Sequence, residues 1–504
     1  MPNGFSESVY IPSPLPPPLG GYVADVPADQ IQDHELSSAR NLLIVDGVVS
    51  QRGGYQTVVG SSFSSPVISL YEFVPYNQSA MIVAGTTSSF FYTTGESWTN
   101  ITTTARTGTV DNPVFFIPMR TASSGGAIHL ISVNGVDPPA IWTGSTASGF
   151  VYLTTAVIGA CGTVWASHFL QGDVTTSADG RVAARVQWSA LGDPKTWEGT
   201  ASTGILDLLD DNATRIMTFE PMRQTLIAYK EEGAHMIIYK AAPFYFVQRL
   251  LHSGITLLSR KGVVSIFNGN QHLVITKEGV VIWDSQNVKY VGANKVDKLM
   301  FDELDWDARE TVWTAYDPLG AKVLIGWPTA STGPTKMWVY DLRFDSWWEE
   351  DLSFFSAIYA PNTFAPPKLI GGHSDNKVYE IFSGIGDTTA GNAIVSSLQT
   401  KLYSFGVEAH KGIARIGIVA GPGTAEQSTI TVSKAGTENP VSQLVFDSGN
   451  TLTVTGGTGY PVVDSRITNR YISFRIVHSA ASETLQIHHL VPWVHVRDIS
   501  RKSR

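Results

Sequence analysis

The stretch LVITKEGVVIW, residues 273–283, decides the fold class. It consists of an apolar run, a Lys-Glu-Gly turn and a second apolar run ending in an aromatic residue, and LIAYKEEGAHMIIY at 226–239 repeats this order. Short apolar runs on either side of a glycine turn are typical of β-hairpins. We expect Gly233 and Gly279 to supply the positive backbone angle that such tight turns require.

A hairpin of this kind recurs along the chain, with an aromatic residue in its second strand. Neighbouring aromatic positions lie 39 to 57 residues apart. The positions are Tyr92, Trp142, Trp188, Tyr239, Trp283, Tyr340 and Tyr379. A period in the forties with several short strands per unit is the signature of a β-propeller, in which each repeat supplies one four-stranded blade. The seven positions predict seven blades, or six if one belongs to a closing or inserted strand.

The pattern divides the chain into three parts. Residues 1–39 include PSPLPPPLGG and predict an extended proline-rich arm that lies on a neighbour, or a disordered leader, because successive prolines oppose helix and sheet pairing. Residues 40–385 predict the propeller, and the hairpin at 40–58 is expected to close its ring. Within residues 386–504, stretches in which apolar and polar residues alternate are separated by turn residues. This pattern predicts a smaller antiparallel β-sandwich-like domain. A helical excursion is expected at 294–310, where apolar residues follow helical spacing.

Composition supports an all-β protein and narrows its partners. Only 16% of the 504 residues are charged, while 46 glycines and 26 prolines interrupt the apolar runs. Cys161 is the single cysteine, which excludes an internal disulfide and a cysteine-based zinc site. The net charge of −9 argues against tight, sequence-independent DNA binding but not against proximity to DNA.

The two ends of the sequence bear on where the protein is located and what it contacts. The N-terminus lacks the features of a signal peptide, and no apolar run approaches the roughly 18 residues of a membrane span, so we expect a soluble protein without its own export signal. The last residues form a basic tail that either meets an acidic partner surface or stays solvated. Its cations are Arg497, Arg501, Lys502 and Arg504.

One segment resembles part of an enzyme motif. The sialidase-type blade motif runs Ser-x-Asp-x-Gly-x-Ser/Thr-Trp, and FYTTGESW retains its Gly95, Ser97 and Trp98. Phe91 and Thr93 stand where the motif has Ser and Asp. Because half of the signature is missing, an enzyme of that class is not expected.

Other ionisable residues do not form a recognisable site. The acidic candidates are Asp302, Glu303, Asp305 and Asp307 in one segment, and Asp207, Asp210 and Asp211 in another. The first lacks the glycine of a calcium loop, so a solvated segment is favoured over a carboxylate pair or calcium site. The second predicts a charged loop or a channel-facing acidic patch. His488, His489 and His495 lack metal-ligand spacing, and we expect no catalytic residue, cofactor or metal.

The segment RVQWSALGDPKTWEGT, residues 185–200, places two tryptophans around a Gly-Asp-Pro turn. Val186 and Trp188 share one face of an extended strand, and the turn then breaks it. Trp197 follows the turn and is expected to lie back over the hairpin. A packing role for both indoles is favoured over stacking on a ligand.

This segment resembles the Trp-Ser-x-x-Gly-Asp-Pro-x-x-Trp signature of tail proteins from short-tailed bacteriophages, the group that includes tail nozzle or packaged-DNA stabilisation proteins. The matching residues are Trp188, Ser189, Gly192, Asp193, Pro194 and Trp197. Further similar positions follow the family order, namely Asn41, Gly47, Arg52 and Gly54; Asn134, Gly135, Asp137, Pro138 and Pro139; and Tyr340, Asp341 and Trp347.

The resemblance implies a structural virion protein with no enzymatic activity. Nozzle subunits of this family are propellers assembled around an axial channel, commonly as homohexamers, which retain packaged DNA and conduct it during ejection. The implied partners are further copies of the chain, a head-to-tail adaptor protein, tail fibre or tailspike proteins, and viral DNA passing through the channel. The implied location is the phage tail, assembled in the host cytoplasm. The alternative hypothesis is a carbohydrate-binding propeller that recognises the host surface.

Overall fold

The computed structural model describes residues 10–45, 48–60, 62–122, 125–153, 157–209, 212–387, 392–407, 409–420, 427–455, 461–481 and 483–497. Strands account for 52% of the protein and helices for 3%, so the fold is all-β, as predicted. No helix in these ranges is long and apolar enough to cross a membrane.

Six short strands come first in the described chain. They are β1 (Ile11–Pro12), β2 (Gly21–Tyr22), β3 (Glu35–Arg40), β4 (Leu42–Val45), β5 (Val48–Gln51) and β6 (Tyr55–Thr57). The pair β4–β5 is the hairpin that alternation predicted, with Leu42 opposite Gln51.

The next 27 strands, β7 to β33, form seven antiparallel groups in the order of the chain, six of four strands and a last one of three. The first three groups are β7 (Val67–Phe73), β8 (Met81–Thr86), β9 (Phe90–Thr93), β10 (Thr99–Asn100); β11 (Phe115–Arg120), β12 (Ile128–Val133), β13 (Ala140–Trp142), β14 (Val151–Tyr152); and β15 (Ile158–Trp165), β16 (His168–Thr176), β17 (Gly180–Trp188), β18 (Gly204–Asp207). The next three are β19 (Ile216–Met222), β20 (Thr225–Lys230), β21 (Ala234–Ala241), β22 (Tyr245–His252); β23 (Val263–Ile266), β24 (Gln271–Ile275), β25 (Val280–Trp283), β26 (Val288–Tyr290); and β27 (Trp313–Asp317), β28 (Lys322–Trp327), β29 (Lys336–Asp341), β30 (Ser346–Glu350). The seventh has β31 (Phe354–Ala360), β32 (Lys368–His373) and β33 (Val378–Ile381).

These seven sheets are arranged in a closed, propeller-like ring. The first strand of each sheet contacts the first strand of the next, and β31 contacts β7. All seven aromatic residues of the predicted repeat lie on the third strand of their sheet. Gly233 and Gly279 have φ values of +100° and +153°, which confirms the predicted turn conformation.

The seventh sheet obtains its fourth strand from the N-terminal region. Strand β6 pairs antiparallel with β33, and Tyr55 lies opposite Ile381. The prediction that the 40–58 segment closes the ring is therefore confirmed. Side chains are excluded just before this strand, because a Cβ on Gly53 or Gly54 would lie 2.4 Å from the carbonyl oxygen of Phe382 or 1.9 Å from that of Gly386.

The strands after residue 391 form two sheets together with strands from the N-terminal region. They are β34 (Ser396–Thr400), β35 (His410–Ala420), β36 (Gln427–Thr437), β37 (Asn450–Thr455), β38 (Val462–Asn469), β39 (Tyr471–His478) and β40 (Gln486–Arg497). One sheet has the order β38-β35-β40-β5-β4, with β1 also on β40. In the other, β3-β34-β39-β36-β37 continues through β2 to β30 of the sixth ring sheet. Hydrogen-bonded sheets thus cross the predicted boundaries at residues 39/40 and 385/386, and the division into three domains stays a prediction.

The expectation that the proline-rich stretch avoids sheet pairing is wrong at its start. Ile11 and Pro12 pair with β40, and the amides of Ser13 and Leu15 donate to Pro492 O (2.9 Å) and Leu490 O (2.8 Å). Prolines, which have no N–H group, occupy every second position here. The N–H groups of the residues between them therefore point to the same edge of the strand, the edge that faces β40. Residues 11–15 of the arm therefore lie on their own chain.

The helical excursion forms as two short pieces. Helix α1 spans Asp297–Glu303, and a 3₁₀ helix spans Trp306–Thr311. Asp305 separates them and accepts a hydrogen bond from the amide of Asp307 (3.0 Å). The prediction at 294–310 is confirmed.

Ring closure predicts that Gly54→Ala is strongly destabilising. The added methyl group would meet the backbone of Gly386 at 1.9 Å, and backbone cannot yield as a side-chain end does. We expect a loss of about 1–3 kcal/mol in the free energy of unfolding, measured by urea denaturation. Gly60→Ala is the control, because nothing lies within 4 Å of its Cβ position. Equal stability of the two variants would contradict tight closure.

Candidate functional site

The two tryptophans of the 185–200 segment lie on opposite faces of the third sheet. Trp188 is 4% exposed, packs edge-on against Phe246 of the fourth sheet (centroids 5.0 Å apart), and donates from Nε1 to Ser202 O (3.0 Å). Trp197 is 5% exposed and packs edge-on against Phe169 (5.4 Å). Its apolar cluster contains residues of the second sheet, namely Ile117, Met119, Ile131 and Val133. The segment thus joins the third sheet to both of its neighbours.

The polar residues of this segment shape the turn. Asp193 accepts from the amide of Lys195 (2.9 Å) and from Thr196 Oγ1 (2.7 Å). The Trp197 indole donates to Pro194 O (3.0 Å). The carboxylate and the second indole are therefore occupied by local contacts rather than directed at solvent.

Ser189 and Gly192 tie the turn to adjacent strands. Ser189 Oγ accepts from the amide of Phe169 (3.1 Å). Gly192 has a φ of +68°, its amide donates to Ser167 O (2.8 Å), and its carbonyl accepts from the amide of Ala122 (2.9 Å). A positive φ at this point favours glycine.

Two further segments of the family pattern meet at a buried ionic cluster where the ring joins the terminal strands. Arg52 Nε lies 2.8 Å from Glu350 Oε2, and its two Nη atoms lie 2.7 and 2.8 Å from the carboxylate of Asp387. Asn41 accepts from Arg52 Nε (3.1 Å) and from the amide of Asp351 (2.8 Å). Burial raises the pKa of Glu350, and the Arg52 guanidinium opposes that shift. The cluster holds residues more than 300 positions apart in sequence.

The other matched residues also make internal contacts. The rings of Tyr340 and Trp347 pack at a tilt with centroids 4.7 Å apart, and Asp341 accepts from the amide of Arg343 (2.8 Å). The Trp347 indole donates to Val291 O (3.0 Å). Gly47 lies outside the described residues.

The Asn134–Asp137 loop is internally hydrogen bonded. Asn134 Nδ2 donates to Asp137 Oδ2 (2.9 Å), and Thr107 Oγ1 donates to Asp137 Oδ1 (2.5 Å). Gly135 has a φ of +78°, and a Cβ there would lie 2.9 Å from Ala160 Cα. The loop thereby fixes the approach of the second sheet to the third.

A cavity of about 620 Å³ lies at the centre of the ring and is lined by residues from the first strand, or its approach, in all seven sheets. Most lining side chains are apolar or aromatic, and three are ionisable: Glu220, Arg260 and Lys261. Burial raises the pKa of Glu220 to about 8. Burial, reinforced by Arg106, lowers the pKa of Lys261 to about 7. This is the one cluster of strongly perturbed groups in a cavity that we identify among the described residues.

Sequence reasoning did not select these three cavity residues. Glu220 sits in MTFEPM and Arg260-Lys261 in LSRKGV, and neither segment carries a motif. Only the convergence of seven strands brings them to one space, so no local signal identifies them.

Two of the described acidic candidates form ion pairs with basic side chains. Asp207 pairs with Arg185 Nε (2.8 Å), and Glu303 pairs with Lys336 (2.7 Å). No group of three or more His, Cys, Asp or Glu residues within the described ranges is placed to hold a metal ion. Asp210, Asp211, Arg501, Lys502, Arg504 and the side chain of Arg497 lie outside the described residues. In the partial sialidase motif, Trp98 packs edge-on against Phe63 (5.2 Å).

We expect truncation of either buried tryptophan to lower the stability of the protein by a large and similar amount. Trp188→Ala and Trp197→Ala should each lower the free energy of unfolding by about 3–5 kcal/mol, because each leaves a cavity between two sheets. Trp306→Ala is the control, since that side chain is 46% exposed. Unchanged urea unfolding of Trp188→Ala with loss of a binding activity would instead indicate a ligand-stacking role.

Glu220 predicts a pH-dependent stability difference. Its pKa of about 8 in the folded protein exceeds the ordinary value of 4.5, so between these pH values the unfolded chain releases a proton that the folded protein retains. Folding is therefore penalised as the pH rises from 4.5 towards 8. Glu220→Gln should melt at a higher temperature than wild type at pH 8, and the difference should vanish near pH 4. The exposed Glu96→Gln should show no such difference, and equal behaviour of the two variants would contradict the assignment.

No protein-family model and no curated protein matches this sequence. Solved structures with some similarity include BBS1N in complex with ARL6DN, soaked with lead, at a TM-score of 0.40 and 7% identity over 66% of this chain and 98% of that one. The same complex soaked with mercury has a TM-score of 0.38 and 8% identity over 66% and 97%. An exo-beta-1,3-galactanase from Phanerochaete chrysosporium with galactose has a TM-score of 0.27 and 10% identity over 75% and 95%.

Proposed function

We propose that the protein is a structural, non-enzymatic subunit of the tail nozzle of a short-tailed phage, which retains packaged DNA and conducts it during ejection. The observation that carries this proposal is that the residues of the family motif make structural contacts inside the chain. Trp188 and Trp197 pack between sheets, and Asn41 and Arg52 join the ring to the terminal strands. Residues shared with a family of building blocks therefore serve as internal contacts, which suits a protein whose role is assembly.

The sheet arrangement supports a finer description of the fold. We propose that the seven sheets are the blades of a propeller and that the two terminal sheets form a platform domain beside it. The platform combines strands from both ends of the chain, such as β3 with β34 and β5 with β40. A layer built in this way presents a continuous β-rich surface to an adaptor protein or to a second copy.

The DNA channel of such a nozzle has to lie between subunits. The cavity inside one ring has a volume of about 620 Å³ and is lined by side chains. That volume lies in the range of small-molecule sites, about 300–1,000 Å³. A DNA duplex, whose major groove alone is about 12 Å wide, is too large for this cavity. Several copies around a common axis, expected to be six, would supply the conduit, because cyclic symmetry closes head-to-tail contacts.

The acidic charge of the chain is compatible with a conduit. The net charge is −9, and an acidic wall provides no cations that neutralise phosphates and hold DNA in place. In this proposal the protein is located in the virion, and its partners are its own copies, the head-to-tail adaptor, tail fibres or tailspikes, and the DNA that passes through.

One observation favours the alternative of a carbohydrate-binding propeller. Tyr239 is 40% exposed, unlike the buried aromatic residues at the other repeat positions. It lines a surface groove of about 320 Å³ together with Trp165 and Gln224. Two aromatic side chains beside an amide supply a stacking face and a polar contact for a sugar ring.

Negative-stain microscopy of the purified full-length protein, alone and with the adaptor ring of the same virion, tests the nozzle proposal. We expect rings with an open axial hole that stack on the adaptor. Monomers that ignore the adaptor would contradict the proposal.

A glycan array tests the alternative with a matched pair of variants. Binding by wild type that is lost in Tyr239→Ala and kept in Tyr290→Ala would establish the carbohydrate site, since Tyr290 is also about half exposed but lies outside the groove. Absence of glycan binding together with ring formation favours the nozzle.

A further inference from the structure

The wall of the axial cavity carries two basic side chains that have no hydrogen-bonded acidic partner within the described ranges. Arg260 and Lys261 immediately precede β23, and both line the cavity. The Arg260 side chain is only 9% exposed. Its Nε and Nη1 atoms have no hydrogen-bond partner among the described residues. Donors of a buried guanidinium are normally satisfied, because leaving them unpaired is costly.

The nearest carboxylate does not satisfy Arg260. Asp173 is held by Arg181, with Nε 2.7 Å from Oδ1 and Nη2 2.8 Å from Oδ2. Arg260 Nη2 lies 3.8 Å from Asp173 Oδ2, which is longer than a hydrogen bond. The charge of Asp173 is thus already matched, and Arg260 remains in excess.

The other charged groups of the cavity leave its potential positive. Lys261 Nζ donates to two neutral acceptors, Ser69 Oγ (2.5 Å) and Ile68 O (3.3 Å). Glu220 is the one acid among the described lining residues, and its pKa of about 8 leaves it mostly protonated at neutral pH. Burial lowers the pKa of Lys261 to about 7, so this amine is only partly protonated at neutral pH, and Arg260 is the cation that no anion of the described wall compensates.

We propose that the axial cavity binds an oxyanion beside β23, the carboxylate or phosphate group of a small molecule, with Arg260 as its principal ligand. A guanidinium suits such a group because its planar donors match the geometry of carboxylate and phosphate oxygens. The cavity volume of about 620 Å³ accommodates a small molecule around that group. The inference does not depend on the nozzle proposal, since the cavity lies within one chain.

Titration calorimetry of the full-length protein at pH 7, with inorganic phosphate and separately with succinate, tests the proposal. We expect wild type to bind at least one of these probes with one site per chain, and the stronger probe distinguishes a phosphate from a carboxylate ligand. Arg260→Gln should weaken that binding roughly 10- to 100-fold, the loss expected for charge-assisted hydrogen bonds. Arg415→Gln, which alters an exposed arginine on β35 outside the cavity lining, should leave the affinity nearly unchanged.

Thermal unfolding without added anion separates this role from a structural one. Because Nε and Nη1 of Arg260 have no hydrogen-bond partner among the described residues, Arg260→Gln should unfold at the same temperature as wild type or higher. A structural ion pair with Asp173 would instead make the variant less stable. If Arg260→Gln does not fold, the proposal is wrong, because its arginine is then structural. Absence of phosphate and succinate binding at millimolar concentrations, or equal binding by Arg260→Gln, would also overturn it.

Discussion

The structure depends on the pairing of β6 with β33, which closes the ring of sheets. Strands β31, β32 and β33 form a three-stranded sheet, and without β6 its open edge would expose unpaired backbone groups. Residues 55–57 cover that edge from more than 300 positions earlier in the chain. Each ring sheet packs against two neighbours, and the seventh sheet reaches the four strands of the others only when this edge is paired. The glycines at 53 and 54 allow the strand to approach its partner closely.

Closure also determines where the two ends of the chain lie. Strand β6 and strand β33 belong to one sheet, so the segments that precede the first and follow the second leave the ring at the same place. They pair with one another as β3–β34 and β5–β40. Arg52, between β5 and β6, contacts Glu350 and Asp387 at this junction. A buried ion pair of this kind adds little net stability because desolvation offsets its attraction, but loss of one partner is costly, so it favours one arrangement of the junction.

The features that the sequence predicted are those encoded locally. Alternation and glycine turns identified hairpins, and the period of the aromatic residues located the third strand of every sheet. Most partner choices between distant strands were not encoded in this way, so the pairings of β3 with β34 and of β5 with β40 were missed. The pairing of Ser13 and Leu15 with β40 was missed because proline content, rather than the alternation of prolines, guided the prediction. Arg260 and Glu220 were missed because the cavity exists only after seven strands converge.

Hydrogen exchange of the backbone amides in β6 and β33 tests closure most directly. The account predicts that the amides of residues 55–57 that bond to β33 exchange as slowly as those of 378–381, and that Gly54→Ala accelerates exchange in both strands together. Cooperative units of structure open as one, so shared protection is the expected signature. Rapid exchange at 55–57 beside a protected β33 would contradict the claim that the N-terminal strand completes the ring.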